Sequence, residues 1–415
     1  MTSPAFFRDR TPVAMLERTY PELLSQMQRQ KIGKVDKKAT VQFCGLANVG
    51  KKTSVIFLPK CALSESPAKN LNTAKLTMRT LAMFGNESQN RAGISSEDSG
   101  NTGLLATIME LANDFISNGI YAERVRVPDL NRGKPNWAKT ASRQVPMIGG
   151  NGNILYSDII TSRAIDAQDS ILAKIQAAVL KELSEHHDWW LDKFKGRDSE
   201  LLNQQKPTTP KPLWSMQLKS LLPTLYANRA INLARNLIDY LEDTRGRREG
   251  TFIFGVEDFH TVWEQMLRKV LPDVSPDWNV RLPKPAYIRS ENGDALVQTR
   301  GMQTDIILEN ETSINIVDAK YYNATSLATT PGWGDTVKQL FYELAVRTVT
   351  DKRDIRGTFI FPSQKSGDGY FDRVIITKPN GELADGFPAI RCYYANIFEV
   401  MRVYVNRQTL NINLF

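Results

Sequence analysis

Two aspartates and a lysine within residues 303–322 have the types and spacing needed for metal-dependent hydrolysis. The stretch QTDIILENETSINIVDAKYY contains two short β-branched runs separated by a polar segment. This pattern predicts two antiparallel strands joined by a tight turn. Asp305 lies at the outer end of the first strand and Asp318 at the outer end of the second. A turn centred on Glu311 and Thr312 would place these two aspartates opposite each other.

Opposed carboxylates on an antiparallel pair have Cβ atoms roughly 5 Å apart and repel each other. A hard divalent cation such as Mg²⁺ removes that repulsion, and Mn²⁺ accepts the same oxygen ligands. Lys320 lies two residues beyond Asp318, so it points to the same face of the strand. Its ammonium group can orient a water, help to deprotonate it and stabilise charge that develops on a phosphate. The carbonyl of Ala319 is a further candidate ligand.

A third carboxylate, Glu264, lies on a helix predicted for Phe259–Val270. At about 100° per residue it falls on the flank of the apolar face of this helix. That position allows two interpretations: a third carboxylate near the metal, or an ordinary solvent-exposed helix residue.

A second polar group follows the hairpin on a helix predicted for Asp335–Val349. Asp335, Gln339 and Tyr342 share one stripe, which can position a water or a phosphate through hydrogen bonds or be an ordinary solvated stripe. The buried face is predicted to comprise Val337, Leu340, Phe341 and Leu344.

Two other motifs imitate functional ones. Asp36-Lys37-Lys38 repeats the Asp-x-Lys pattern but lies in a polar run with no upstream acidic strand, which indicates a solvated turn. The segment from Gly45 to Lys51 begins like a phosphate-binding P-loop. Lys52 stands where Ser or Thr should hold Mg²⁺, and a strand-like run follows where a helix should begin. We expect two strands and a loop here, without a nucleotide site.

The predicted elements indicate a mixed α+β chain with two domains. Residues 1–35 have helical patterning, residues 121–165 resemble loops, and residues 216–241 a single helix. The basic, glycine-containing run at 245–250 suggests a boundary. The expected domains are 1–247, an N-terminal α+β domain that binds DNA or a partner, and 248–415, with a helix, three strands, a helix and a strand (αβββαβ).

Composition narrows the classes of protein further. The 415 residues carry 53 Lys and Arg against 45 Asp and Glu, a net charge of +8 that suits a polyanionic partner. No apolar run approaches the roughly 20 residues of a membrane span. The N-terminus lacks the apolar core of a signal peptide. Three cysteines and three histidines, widely spaced, match no familiar zinc site. We expect a cytoplasmic protein with reduced thiols and no membrane association.

The hairpin residues resemble the Asp…Asp-x-Lys pattern of the PD-(D/E)xK phosphodiesterases, and the predicted αβββαβ order agrees with their core. The C-terminal part also resembles nuclease subunits of the McrC type, especially the LlaJI-type restriction endonucleases, through the segments FHTVWEQML, TDIIL, INIVDAKYYN and DTVKQLFYEL. The resemblance is best over residues 250–362. It implies that Glu264, Asp305, Asp318 and Lys320 occupy catalytic positions, with Gln339 and Tyr342 as a Gln-x-x-Tyr element. Thr304 stands where many members have proline.

By this resemblance the chain would be an Mg²⁺-dependent endonuclease that cuts double-stranded DNA in a restriction or anti-phage system. Its partner would be an AAA+ GTPase or NTPase of the McrB type, and an oligomer or dimer would allow cleavage of both strands. A noncatalytic DNA-binding or adaptor subunit that activates the NTPase is the alternative. A second alternative is cleavage of RNA or branched DNA.

Overall fold

A computed structural model describes residues 4–30, 32–35, 39–48, 54–91, 102–167, 169–191, 201, 205–244, 252–291, 293–365 and 369–415. The second Asp-x-Lys motif at 36–38, the glycine-lysine end of the P-loop-like segment and the basic run at 245–250 lie outside these residues. None of the described helices is sufficiently long and apolar to cross a membrane.

The described elements are mixed helices and strands, as expected for an α+β chain. The helices, in chain order, are α1 (Val13–Thr19), α2 (Pro21–Arg29), α3 (Pro67–Arg91), α4 (Thr102–Asn118), α5 (Trp137–Arg143), α6 (Ile171–Leu191), α7 (Trp214–Leu221), α8 (Asn228–Asp243), α9 (Phe259–Val270), α10 (Trp278–Arg281), α11 (Trp333–Arg347) and α12 (Ile397–Val405). Short 3₁₀ turns lie at Lys211–Leu213, Leu222–Thr224 and Leu327–Thr329.

The strands form several separate sheets. They are β1 (Ala5–Arg8), β2 (Thr11–Pro12), β3 (Lys34–Val35), β4 (Thr40–Gln42), β5 (Cys44–Asn48), β6 (Ser54–Leu58), β7 (Glu123–Leu130), β8 (Lys134–Pro135), β9 (Met147–Ile148), β10 (Ile154–Leu155), β11 (Ile160–Ala167), β12 (Phe252–Val256), β13 (Ala286–Ile288), β14 (Ala295–Val297), β15 (Ile306–Glu309), β16 (Ser313–Ala319), β17 (Asp354–Ser363), β18 (Arg373–Val374) and β19 (Ile390–Asn396).

The chain forms two compact units that differ from the consecutive domains expected at 1–247 and 248–415. One unit combines Met1–Ala106 with Arg247–Phe415, and the other is Thr107–Gly246. The reason is a strand pairing over a long sequence separation: β12, the first described strand after residue 247, pairs antiparallel with β5. The N-terminal segment therefore belongs to the same unit as the hairpin.

The main sheet of the first unit has the order β15-β16-β17-β19-β18. The strands β15 and β16 form an antiparallel hairpin, whereas β16, β17 and β19 run parallel. Apolar side chains of the hairpin pack against Tyr342 and Val346 of α11, and this group includes Ile307, Ile314 and Ile316. Burial of these residues, roughly 1.5–3 kcal/mol for each large aliphatic side chain, holds the hairpin against the helix.

The αβββαβ order expected for the C-terminal part needs a correction. The strands β13 and β14 pair only with each other in a small, exposed two-stranded sheet and do not join the main sheet. Their side chains lack the apolar alternation that would cover a core face, so the segment forms its own hairpin. The main sheet thus contains two strands, not three, between α9 and α11.

Three further sequence predictions need correction. Residues 121–165, expected as loops, contain the strands β7 to β11, and β7 pairs with β11 over eight residues. The single helix expected at 216–241 is two helices, because Pro223 lies in a 3₁₀ turn where the helix is interrupted. Within residues 1–35, residues 5–8 form a strand that pairs parallel with β6.

The second unit holds its own polar network. Arg229 on α8 donates two hydrogen bonds to Asp114 on α4, at 2.9 and 3.1 Å, and a third to the carbonyl of Gly119 at 2.8 Å. Gln176 on α6 accepts a hydrogen bond from the backbone N–H of Tyr121 at 2.6 Å. These bonds connect three helices of this unit near the end of α4.

Candidate active site

The register of the β15–β16 hairpin agrees with the sequence prediction. Ile306 pairs with Val317, Ile307 with Ile316 and Leu308 with Asn315. Extending this register by one residue places Asp305 opposite Asp318. The turn is fixed by the side chain of Asn310, whose Oδ1 accepts hydrogen bonds from the N–H groups of Thr312 and Ser313 at 3.0 and 2.7 Å.

Asp318 is the most buried of the predicted carboxylate ligands. It is only 6% exposed, and Lys320 Nζ lies 2.7 Å from its Oδ2. The ammonium is the charge partner of this buried Oδ2, although among the described residues no hydrogen bond of standard geometry reaches the atom. A carboxylate oxygen has two lone pairs, so this atom can bind a cation as well as face the ammonium.

Burial raises the pKa of Asp318 to about 6. The Lys320 ammonium opposes this shift, and the Asp305 carboxylate beside it raises the pKa further. A carboxyl group whose charge is disfavoured by burial and by a like neighbour is typical of a site completed by a cation.

Hydrogen bonds hold Asp305 in place at two points, its carboxylate and its backbone carbonyl. Its carboxylate Oδ2 accepts a hydrogen bond from the Ala319 N–H at 3.0 Å. Its carbonyl accepts two hydrogen bonds from the Arg268 guanidinium, at 2.8 and 3.3 Å. Arg268 therefore connects α9 to the first strand of the hairpin, a contact that the sequence did not predict.

The Ala319 carbonyl points toward the side of the strand where Asp305 lies. The Lys320 N–H donates to the Ile360 carbonyl on β17 at 2.9 Å. In a planar trans peptide the carbonyl of the preceding residue points the opposite way, which is away from β17. The same side of β16 carries the Ala319 N–H that bonds Asp305.

Lys320 bridges two carboxylates. Its Nζ lies 2.7 Å from Asp318 Oδ2 and donates a hydrogen bond to Asp335 Oδ1 at 2.8 Å. Burial lowers the pKa of Lys320, but Asp318 and Asp335 outweigh that effect, so the pKa is raised overall. This lysine is therefore a cation at neutral pH. The sequence places Asp335 in a helix stripe with Gln339 and Tyr342, but its contact with Lys320 has no local signal.

Glu264 faces the same group of charges. It is half-buried on α9, and burial raises its pKa. The Asp318 carboxylate raises that pKa further, whereas Arg268, Lys338 and Lys320 lower it. Among the described residues, however, no group of three or more His, Cys, Asp or Glu side chains is arranged to hold a metal ion. The Asp305 and Asp318 pair with the Ala319 carbonyl therefore stays a predicted ligand set, and Glu264 interacts electrostatically with Asp318.

Gln339 and Tyr342 are buried rather than solvated. Gln339 is 1% exposed and donates a hydrogen bond from Nε2 to the Ile316 carbonyl at 2.6 Å. Tyr342 is 6% exposed and donates to the Gln303 carbonyl, two residues before Asp305. Both side chains therefore fasten α11 to the strands of the hairpin.

The apolar face predicted for α11 is wrong. Val337, Phe341 and Leu344 are 43%, 56% and 59% exposed, and only Leu340 is partly buried. The buried positions of this helix are Thr336, Gln339, Tyr342, Glu343, Ala345 and Val346. On the buried face, the side chains of Gln339 and Tyr342 donate hydrogen bonds to the carbonyls of Ile316 and Gln303.

The family model of the LlaJI restriction endonucleases matches residues 43–377. The chain belongs to the LlaJI restriction endonuclease family. The matched range, residues 43–377, contains every predicted site residue. Membership of this family supports a role in a restriction system.

One curated relative is a component of a Type II restriction enzyme, BsuMI component YdjA of Bacillus subtilis (strain 168). It is 24% identical over 197 residues, which cover 45% of this chain and 41% of that protein. The chain thus matches less than half of the relative's length. A solved structure, the Thermococcus gammatolerans McrBC complex, is similar over 64% of this chain and 86% of the other, with 11% identity and a TM-score of 0.32. This TM-score is too low to establish a shared fold.

Proposed function

We propose that this chain is the nuclease subunit of a restriction or anti-phage system and hydrolyses phosphodiester bonds of double-stranded DNA with Mg²⁺. The observation that carries the proposal is the pair of opposed carboxylates, Asp305 and the buried Asp318, with the Lys320 ammonium 2.7 Å from Asp318 Oδ2. Membership of a restriction endonuclease family supports DNA as the substrate. The proposed domain core is of the PD-(D/E)xK type, with the β15–β16 hairpin at its centre.

In this proposal Asp305, Asp318 and the Ala319 carbonyl hold the cation, with Mn²⁺ able to replace Mg²⁺. The bound ion supplies Lewis-acid stabilisation of phosphoryl oxygens. Glu264 supports the same site from α9.

The chain's own residues supply the rest of the chemistry. The Lys320 ammonium donates hydrogen bonds where negative charge develops on the phosphate and orients the attacking water. Asp335 holds this ammonium in place. Gln339 and Tyr342 position the hairpin through the carbonyls of Ile316 and Gln303.

We further propose that an AAA+ GTPase or NTPase gates cleavage. The relative in Bacillus subtilis is named as a component of its enzyme, which supports a chain that acts with others. The name is equally consistent with a noncatalytic adaptor that activates a partner NTPase.

A plasmid cleavage assay separates these functions. Wild type and Lys320→Ala are incubated with Mg²⁺, first alone and then with the proposed partner NTPase plus GTP or ATP. If the chain is a gated nuclease, wild type should cut the plasmid only when the NTPase and its nucleotide are present. Lys320→Ala should then cut at least about a hundredfold more slowly. Equal cleavage by both proteins would show that the catalytic residues lie outside the hairpin. Stimulation of the NTPase by both proteins without cleavage would establish the adaptor.

A further inference from the structure

A cavity of about 840 Å³ in the first unit has a strongly basic lining. Among its described lining side chains, four are cations, Arg8, Arg10, Lys60 and Lys365, and one is an acid, Asp9. The cavity is large enough for a nucleotide-sized group and far larger than a single phosphate. An excess of three positive charges around one concave surface favours an anionic ligand.

The fold brings these cations together from distant parts of the chain. The strands β1 and β6 are parallel, so Arg8 and Lys60 lie at the same end of the pair, and the Asp9 N–H donates to the Leu58 carbonyl at 2.7 Å. Lys365 follows β17, the neighbour of β16 in the main sheet. The carboxyl ends of parallel strands, where ligands bind in open α/β sheets, therefore converge on the cavity.

Asp9, the one acid among the described lining residues, is engaged in a structural hydrogen bond. Asp9 is 3% exposed, and its Oδ1 accepts a hydrogen bond from the Phe43 N–H at 3.2 Å. This carboxylate therefore holds the turn after β1, whereas Arg8, Arg10 and Lys365 are exposed. Arg10 has a left-handed backbone, with φ of 63°, which is uncommon outside glycine and is often retained at functional sites.

One lining residue of the cavity lies near Lys320. Asn323, which lines it, is three residues beyond Lys320, so their Cα atoms are at most about 11 Å apart. At roughly 3.4 Å of helix axis per nucleotide, this distance corresponds to about three nucleotides of one strand.

We propose that this basic cavity binds the backbone phosphates of the DNA strand next to the phosphate that is hydrolysed. Arg8 and Lys365 contact phosphates, and the exposed ring of Tyr370 at the lining offers a surface on which a base can stack. The inference rests on the proposed function only in taking DNA as the substrate. Free nucleotides carry the same phosphate chemistry, and the experiment separates the two sources.

The test is DNA binding under conditions that do not allow cleavage. Fluorescence anisotropy of a labelled duplex is measured with Ca²⁺ at several KCl concentrations between about 50 and 200 mM, the range over which phosphate neutralisation changes affinity strongly. The variant is Arg8→Gln with Lys365→Gln. The matched control is Arg373→Gln with Lys378→Gln, which removes two exposed cations that do not line the cavity.

The cavity variant should bind roughly tenfold more weakly at about 100 mM salt, and its slope of log K against log salt should be smaller by about 2, because two phosphates are no longer neutralised. The control should match wild type. Equal affinity and slope for the two double variants, with unchanged circular dichroism and thermal melting, would overturn the proposal. Absence of DNA binding by wild type would overturn it as well.

Two further measurements identify the source of the phosphate. Titration with GTP, ATP and inorganic phosphate should displace little of the bound duplex at millimolar concentration. If the cavity variant loses nucleotide binding but keeps its full affinity for DNA, the cavity is a nucleotide site and the proposal fails. Cleavage by Lys320→Ala would contradict the proposed catalytic hairpin without altering the binding result, so the two failures are distinguishable.

Discussion

At the scale of single residues, burial determines the behaviour of Asp318 more than its charged neighbours do. Burial raises its pKa to about 6, and the Lys320 ammonium only partly offsets this shift. The unfolded chain releases this proton near pH 4. Between about pH 4 and pH 6 the folded protein therefore binds more protons than the unfolded chain, and stability falls as the pH rises.

The variant Asp318→Asn should consequently stabilise the metal-free protein. Above pH 6 the folded protein carries the full cost of the buried charge, and removing it should raise the free energy of unfolding by roughly 1–3 kcal/mol. Below pH 4 the variant and wild type should be equal. Urea unfolding in EDTA at pH 4 and pH 8 measures both values.

The control for this measurement is Asp354→Asn. Asp354 is half-buried, and its hydrogen bonds with Arg356 and Ser313 lower its pKa. The stabilising contribution of the Asp354 carboxylate is present at pH 8 and is lost as the pH falls. Asp354→Asn should therefore have a lower free energy of unfolding than wild type at pH 8. A loss of stability at pH 8 in Asp318→Asn as well would contradict the assigned cost of the buried charge.

Two of these residue positions could be predicted from the sequence and two could not. The turn at Asn310 fixes the register of a short hairpin, so local patterning places Asp305 opposite Asp318. Arg268 and Asp335 reach the site from helices on either side, 37 residues before Asp305 and 15 residues after Lys320. Nothing local to these residues specifies those contacts.

At the scale of elements, helix α11 reverses the usual relation between polarity and burial. Periodicity correctly separates its two faces, but the choice of the apolar face as the buried one is wrong. On the buried face of this helix, Gln339 donates a hydrogen bond to the Ile316 carbonyl and Tyr342 donates one to the Gln303 carbonyl. Sequence patterning cannot show which partner surface a helix will meet.

Truncating a side chain on the buried face of α11 should therefore lower the free energy of unfolding, whereas truncation on the exposed face should barely change it. Gln339→Ala removes a buried side chain and its hydrogen bond to the Ile316 carbonyl and should cost about 1–3 kcal/mol of unfolding free energy. Phe341→Ala removes an exposed ring and should change it by less than about 0.5 kcal/mol. Urea unfolding of both variants at one pH provides the comparison. A larger loss for Phe341→Ala would mean that the sequence-based face is the buried one.

At the scale of the whole molecule, the pairing of β5 with β12 joins the N-terminal segment to the hairpin unit. Gly45 and Gly255 lie opposite each other in this pair. A Cβ atom at Gly255 would lie 2.3 Å from the Cys44 carbonyl oxygen and 2.9 Å from the Gly45 Cα. The sequence predicts a boundary near 247 from a change of pattern, but a strand pairing between residues so far apart along the chain has no local signal.

Gly255→Ala should destabilise the first unit, because the backbone of β5 must move to admit the methyl group. The expected loss is about 1–3 kcal/mol or more. Gly334→Ala is the matched control, since nothing lies within 4 Å of its Cβ position and alanine favours the helix by roughly 0.5–1 kcal/mol. Thermal melting of both variants compares them. A tolerated alanine at 255 would contradict the close approach of β5 and β12.

The most direct test of the proposed nuclease is calorimetric titration of the purified protein with Mn²⁺ and Mg²⁺. Wild type should bind the cation at one site, Asp318→Asn and Asp305→Asn should lose at least about tenfold in affinity, and Asp354→Asn should bind like wild type. Binding that survives in both hairpin variants, or that is lost equally in Asp354→Asn, would contradict the assignment of Asp305 and Asp318 as the metal site.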